Sequence, residues 1–210
     1  MENTENYSEK KPKLREKYEK MTLPLGKALA KLRLTPNMLT VMSALIALGS
    51  LYYLYFKKDL LIGFAIFLFA VFFDIFDGSL ARATGMMSSF GKVLDHFTDR
   101  FVEFTFIIGL VLGEYIPGWL GTFVIFSMIA PSYVRARGEA ELKVSGMSVG
   151  FYERKEKIIT LILGVILELY YYPGALYYAC LIVAVFSFIT AIQRLLYYRR
   201  VWLEKRKKTV

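Results

Sequence analysis

Asp74-Ile75-Phe76-Asp77-Gly78-Ser79-Leu80-Ala81-Arg82, a connection of eight residues, then Gly91-Lys92-Val93-Leu94-Asp95-His96-Phe97-Thr98-Asp99 is the stretch on which the reading of this chain turns. Four carboxylates stand here among strongly apolar neighbours. A charged side chain at membrane depth costs about 2.5–3.5 kcal/mol even on lenient insertion scales. Residues three or four apart share one face of a helix. Asp74 and Asp77 therefore project together from one helix, and Asp95 and Asp99 from the next. Two such helices side by side form a cage of hard oxygen ligands, which suits Mg²⁺ or Mn²⁺. Zinc would want a Cys/His set, and the chain has one Cys and one His.

Outward from this stretch the composition sets the environment. The chain of 210 residues is 56% hydrophobic with mean hydropathy +0.42, against about 45–50% apolar residues in a soluble domain. We expect an all-α, polytopic membrane protein. Six stretches of suitable length, close to the roughly 20 residues a span needs, cover 37–56, 60–82, 91–113, 118–137, 156–172 and 175–197. Thr35-Pro36-Asn37 opens the first as a helix start. Pro117-Gly118 precedes the fourth, and Pro173-Gly174 closes the fifth. Cys180 has no partner for a disulfide and reads as a small buried hydrophobe. The first thirty residues are too charged for a signal peptide, so the first span is expected to direct insertion.

Charge sets the expected orientation. Nearly all of the 27 Lys and Arg residues lie in the N-terminal segment, the 82–92 and 135–157 connections and the C-terminal tail. The 114–117 and 173–174 connections hold none, and only Lys57 and Lys58 oppose the pattern. A multi-pass protein of the cell membrane with both termini cytoplasmic follows, its acidic cluster at the cytoplasmic face. Leu14, Tyr18, Met21, Leu25, Ala28 and Leu32 recur at helical spacing, so an amphipathic juxtamembrane helix is expected over 18–33. The expected organisation is a cytosolic segment over 1–33, a membrane domain over 34–200 and a basic tail over 201–210. Bases spread along membrane edges, rather than gathered in one soluble domain, argue against nucleic-acid binding of this +9 chain.

Gly78 and Gly91 remove side chains beside the cage, and Arg82 offers a guanidinium fork one turn past Gly78. Metal ligands, glycines and an arginine together describe a diphosphate site. Taken singly, the carboxylates would equally serve a cation-coupled transporter and the glycines ordinary helix packing.

The complete spacing resembles the signature of the CDP-alcohol phosphotransferases, Asp-x2-Asp-Gly-x2-Ala-Arg-x8-Gly-x3-Asp-x3-Asp, at Asp74, Asp77, Gly78, Ala81, Arg82, Gly91, Asp95 and Asp99. The Leu34-Thr35-Pro36-Asn37-Met38-Leu39-Thr40 lead-in is similar to that family too. The resemblance implies transfer of a phosphatidyl-type group from a CDP-linked lipid, CDP-diacylglycerol or CDP-archaeol, to an alcohol with release of CMP. It implies two Mg²⁺ or Mn²⁺ ions held by Asp74, Asp77, Asp95 and Asp99, with Asp99 also the base. Gly78, Arg82 and Asp74, with Asn37 and Thr40 from the lead-in, would bind the CDP moiety. A homodimer is implied as well. His96 adjoins Asp95 but sits about 100° round the helix, and a packing or hydrogen-bonding role is expected for it.

The acceptor is sought in residues 131–157. Arg135, Arg137 and Arg154 near the membrane edge could form an anion site, whereas Lys155 and Lys157 read as topology charges. The segments around Ser132-Tyr133-Val134-Arg135-Ala136-Arg137 and Gly150-Phe151-Tyr152-Glu153-Arg154 resemble the phosphatidylinositol phosphate and archaetidylinositol phosphate synthase branch. That implies a soluble phosphorylated polyol, inositol phosphate, held by Ser132, Arg135, Arg137 and Arg154. Glycerol phosphate is the rival acceptor.

Overall fold

The structure is a computed structural model. It describes residue 24, residue 26, and residues 28–31, 34–146 and 149–209, the side chains at 74, 75, 208 and 209 excepted. Among the described residues the regular structure is helical, without strands. The helices are α1 (Pro36–Tyr52), α2 (Leu60–Thr84), α3 (Ser89–Leu112), α4 (Gly118–Leu142), α5 (Arg154–Tyr170) and α6 (Ala175–Thr209). A helix thus occupies each of the six apolar stretches. Pro36–Lys57, Leu60–Thr84 and Ala175–Lys207 are long and apolar enough to cross a membrane. Most of the expected 18–33 helix lies outside the described residues, though residues 24, 26 and 28–30 are helical.

Local chemistry sets the helix ends. Thr35 Oγ1 accepts the Met38 N–H at 3.3 Å, and Pro36 occupies the first helical position, where its missing N–H is no loss. α1 ends in a π-helical turn, Tyr53–Lys57, stopped by Lys58 in the left-handed region at φ 53°. Asp59 Oδ1 then accepts the Ile62 N–H at 2.9 Å and starts α2. Gly85 at φ 70° terminates α2. Ser88 Oγ accepts the Gly91 N–H at 2.9 Å, which begins α3 ahead of the expected residue 91. A reciprocal capping box between Glu153 and Glu156 starts α5 at Arg154, ahead of the expected 156. Glu168 Oε2 accepts the N–H groups of Gly174 and Leu176 at 2.9 Å each and tethers the turn into α6. α6 runs on through the basic tail without a break.

The chain packs as two compact units. One comprises the residues up to Ser50 with Ala65–Thr105, and the other Leu51–Phe64 with Phe106–Val210. In the first, Leu39, Ala47, Phe67, Ala70, Leu80 and Val102 form the apolar core, interleaved with the fully buried small hydroxyls of Ser43 and Ser79. Small residues let helices approach where lipid supplies no hydrophobic drive. Gly26 shows the tightest case: a Cβ there would lie 2.3 Å from the Ser79 carbonyl oxygen and 2.8 Å from Ala83 Cβ. The second unit closes around Leu54, which Gly63 and Gly109 admit at distances no Cβ would tolerate. Cys180 is buried there, as expected.

Candidate active site

α1, α2 and α3 contribute to one cavity of about 130 Å³ in the first unit. Its lining brings together Asn37 and Thr40 from α1, Asp77, Gly78 and Arg82 from α2, and Gly91, Lys92 and Asp95 from α3. Asp77 is 7% exposed, and Thr40 Oγ1 donates to its Oδ2 at 2.5 Å. The Thr40 oxygen also stands 3.1 Å from the Pro36 carbonyl, but its single proton serves the shorter, charge-assisted contact. The hydroxyl therefore fixes one carboxylate oxygen of Asp77.

Gly78 lies against Arg82, whose Nη1 would stand 3.4 Å from a Cβ at that position. The guanidinium consequently runs back along α2 beside the cavity. Its Nε is buried and has no hydrogen-bond partner among the described residues. Arg82 lines the cavity, where a guanidinium suits an anion. At Gly91 a Cβ would come within 3.0 Å of Ser88 Oγ and 3.2 Å of Asn37 Oδ1, so the start of α3 sits close against α1.

Asp95 and Asp99 share a face of α3, and their side chains are 39% and 11% exposed. Asp95 lines the cavity and Asp99 lies one turn deeper. Among the described residues no three acidic, His or Cys side chains form a complete metal-binding group; the Asp74 side chain falls outside that description. Two hard carboxylates in one cavity, with Asp99 a turn below, fit a divalent ion in donor chemistry. His96 is 77% exposed, its Nδ1 3.9 Å from Asp95 Oδ2. Of the expected packing or hydrogen-bonding role, packing is not what the structure shows; the ring stands at the surface beside a carboxylate.

Two residues beyond Asp99 escaped the sequence reading. Glu103 is the next member of the 95, 99 register and its side chain is 4% exposed, while Arg100 Nη1 lies 2.7 Å from its Oε2 as an ion pair. Arg100 Nη2 is 3.9 Å from Asp99 Oδ2. The signal lay in the continued i, i+4 spacing, one turn past the end of the motif.

The residues expected to hold the acceptor all belong to the second unit. Ser132 is exposed. Arg135 Nε pairs with Glu139 at 3.1 Å, and Arg137, 61% exposed, pairs with Glu141 at 2.7 Å. Arg154 is half-buried. Lys157 overturns its reading as a topology charge: it is 4% exposed, with Nζ 3.5 Å from the Met128 carbonyl. Arg194, not singled out from sequence, is 6% exposed. It donates to the carbonyls of Val149 at 2.9 Å and Pro131 at 2.8 Å, and Arg135 is within electrostatic reach. Tyr197, Tyr198 and Lys205 on the same helix bind the carbonyls of Ser145, Arg135 and Leu142. α6 thus braces the end of α4 and the loop after it. Partial burial pushes the Glu139 carboxyl up, but the Gly146 N–H and Arg135 outweigh it and hold Glu139 below the usual carboxylate range.

Comparison with known proteins bears on these features. Residues 33–193 match the CDP-alcohol phosphatidyltransferase family. An archaetidylinositol phosphate synthase of Pyrococcus horikoshii is 37% identical over 87% of this chain and 93% of its own. A phosphatidylinositol phosphate synthase of Mycobacteroides abscessus is 33% identical over 86% and 84%. Among solved structures, Mycobacterium tuberculosis phosphatidylinositol phosphate synthase with CDP-DAG bound superposes with TM-score 0.75 at 28% identity, covering 87% of this chain and 94% of that one. The same enzyme in complex with manganese and citrate gives TM-score 0.74 at 29% identity over 86% and 88%.

Proposed function

The chain belongs to the CDP-alcohol phosphatidyltransferase family and is a membrane-bound CDP-alcohol phosphotransferase, and from that premise we propose that it joins a CDP-linked lipid to inositol phosphate. The observation that carries this reading furthest is the cavity lined by Asp77, Arg82 and Asp95. Two carboxylates and a guanidinium suit a metal-bound diphosphate, and the relatives' acceptor supplies the rest.

In this reading Asp74, Asp77, Asp95 and Asp99 hold two Mg²⁺ or Mn²⁺ ions. When bound, such ions neutralise the diphosphate and the charge that develops on departing CMP. Thr40 orients Asp77, Arg82 binds phosphate oxygens, and Gly78, Asn37 and Asp74 shape the CDP pocket. The acceptor hydroxyl attacks the lipid-side phosphorus. The bond from that phosphorus to the bridging oxygen breaks, CMP leaves with the electron pair, and Asp99 receives the hydroxyl proton. Ser132, Arg135, Arg137 and Arg154 hold the acceptor's phosphate, with buried Arg194 beside Arg135 adding positive charge. Six membrane crossings and a cytosolic active face with cytosolic termini, an orientation supported by the distribution of basic residues, complete the proposal together with a homodimer, which the family resemblance implies.

Purified protein in lipid nanodiscs, given CDP-archaeol or CDP-diacylglycerol, tests this by release of CMP. Inositol phosphate should be the preferred acceptor, and the metal should be required. Faster turnover with glycerol phosphate would overturn the acceptor, as would unchanged acceptor KM after Arg135→Ala and Arg154→Ala. Activity in chelator would overturn the mechanism.

A further inference from the structure

Asp95, Asp99 and Glu103 form one ladder on α3 at intervals of four residues, each more deeply buried than the last, with side-chain exposures of 39%, 11% and 4%. A third acid at such depth is costly unless it is paired. Its partner is Arg100, and the geometry of that partnership is unequal. The guanidinium approaches Glu103 to 2.7 Å and Asp99 only to 3.9 Å. Both carboxylates lie within reach of one guanidinium, which stands nearer the deeper one.

An arginine beside a metal-binding carboxylate opposes the metal in two ways. It adds a positive charge, and it can take the carboxylate oxygens for itself in a bidentate pair. We propose that Glu103 is a positioning residue that draws Arg100 away from Asp99 and cancels its charge, so that Asp99 stays available to divalent metal. Arg100 in turn makes the buried Glu103 tolerable. This rests on the reading of Asp95 and Asp99 as metal ligands. It adds a role for two residues outside the motif.

The test is Mn²⁺ binding to the purified full chain in nanodiscs, followed by electron paramagnetic resonance without any substrate. Thermal unfolding of each variant is followed alongside. In Glu103→Gln, Arg100 is released toward Asp99 and Mn²⁺ affinity should fall by about tenfold or more, as expected for an uncompensated charge one to two helical turns away. Arg100→Gln should bind Mn²⁺ as tightly as the wild type or more so, since a cation is gone and a carboxylate remains. The double variant carries the wild-type net charge, and its affinity should return to within about threefold of the wild type. Opposed single effects that cancel in the double are not produced by unfolding, which weakens all three variants together. Wild-type affinity in Glu103→Gln, weaker binding in Arg100→Gln, or no recovery in the double variant would overturn the proposal. If the wild type itself binds no Mn²⁺, the metal reading fails, and this inference fails with it.

Discussion

Thr40 and Asp77 are joined across α1 and α2 by a 2.5 Å hydrogen bond from Oγ1 to Oδ2, with both residues buried. This contact ties the opening of α1 at Thr40 to the acidic motif 37 positions further on. A hydrogen bond to a charged group contributes about 1.5–3 kcal/mol. Thr40→Val keeps the shape and removes the proton, so we predict about a 10- to 100-fold loss in kcat/KM. Thr40→Ser keeps the donor and should retain most of the activity. Steady-state CMP release at saturating metal distinguishes the two, and equal losses in Val and Ser variants would remove the role assigned to the hydroxyl.

Arg82 makes a second prediction, about geometry rather than charge. Its Nε is buried without a hydrogen-bond partner among the described residues, and its guanidinium lies beside Gly78. Lysine keeps the charge but not the planar fork. Arg82→Lys should raise the KM for the CDP-linked lipid about tenfold, with a smaller change in kcat. A KM within twofold of the wild type would mean that Arg82 contacts no phosphate in the productive complex.

The reach and the limits of sequence both have physical causes here. Asp77, Gly78, Arg82, Gly91 and Asp95 were legible because helical periodicity is local, and the structure gathers them around one cavity. Helix starts were legible within a few residues, and the differences trace to side-chain caps at Ser88 and Glu153. Glu103 was missed because the reading stopped where the motif stops. Lys157 was misread because a lysine near a membrane edge looks the same in sequence whether it faces water or a buried carbonyl of Met128. Arg194 was invisible for a related reason: its partners are backbone carbonyls at Pro131 and Val149, 63 and 45 positions away. A carbonyl carries no residue-type signature.

Gly26 supplies a stability prediction. A Cβ at this position would meet the Ser79 carbonyl at 2.3 Å and Ala83 at 2.8 Å, and the first of these is backbone that cannot swing aside. Gly26→Val should therefore push the segment before α1 off the motif end of α2. The expected cost is about 1–3 kcal/mol, typical of overpacking a close contact. Lowered thermal stability in detergent, together with faster protease cleavage before Pro36, is the outcome to look for. Wild-type behaviour in both assays would show that this helical segment does not need the contact.

Glu139 gives the pH prediction. Partial burial alone would raise its pKa, but the Gly146 N–H at 3.0 Å and the Arg135 guanidinium at 3.1 Å outweigh burial and depress it below the ordinary 4.5. A carboxyl with a lower pKa in the folded state binds fewer protons there than in the unfolded chain. Its stabilising contribution is therefore complete above the ordinary value and is lost as pH falls through the depressed one. Unfolding midpoints measured from pH 7 down into the acid range should drop less steeply below about pH 4.5 in Glu139→Gln than in the wild type. The variant should also be less stable than the wild type at pH 7, where the ionised acid normally tethers the loop after α4. Parallel pH profiles for the two proteins would show that the loop is held by the α6 contacts alone.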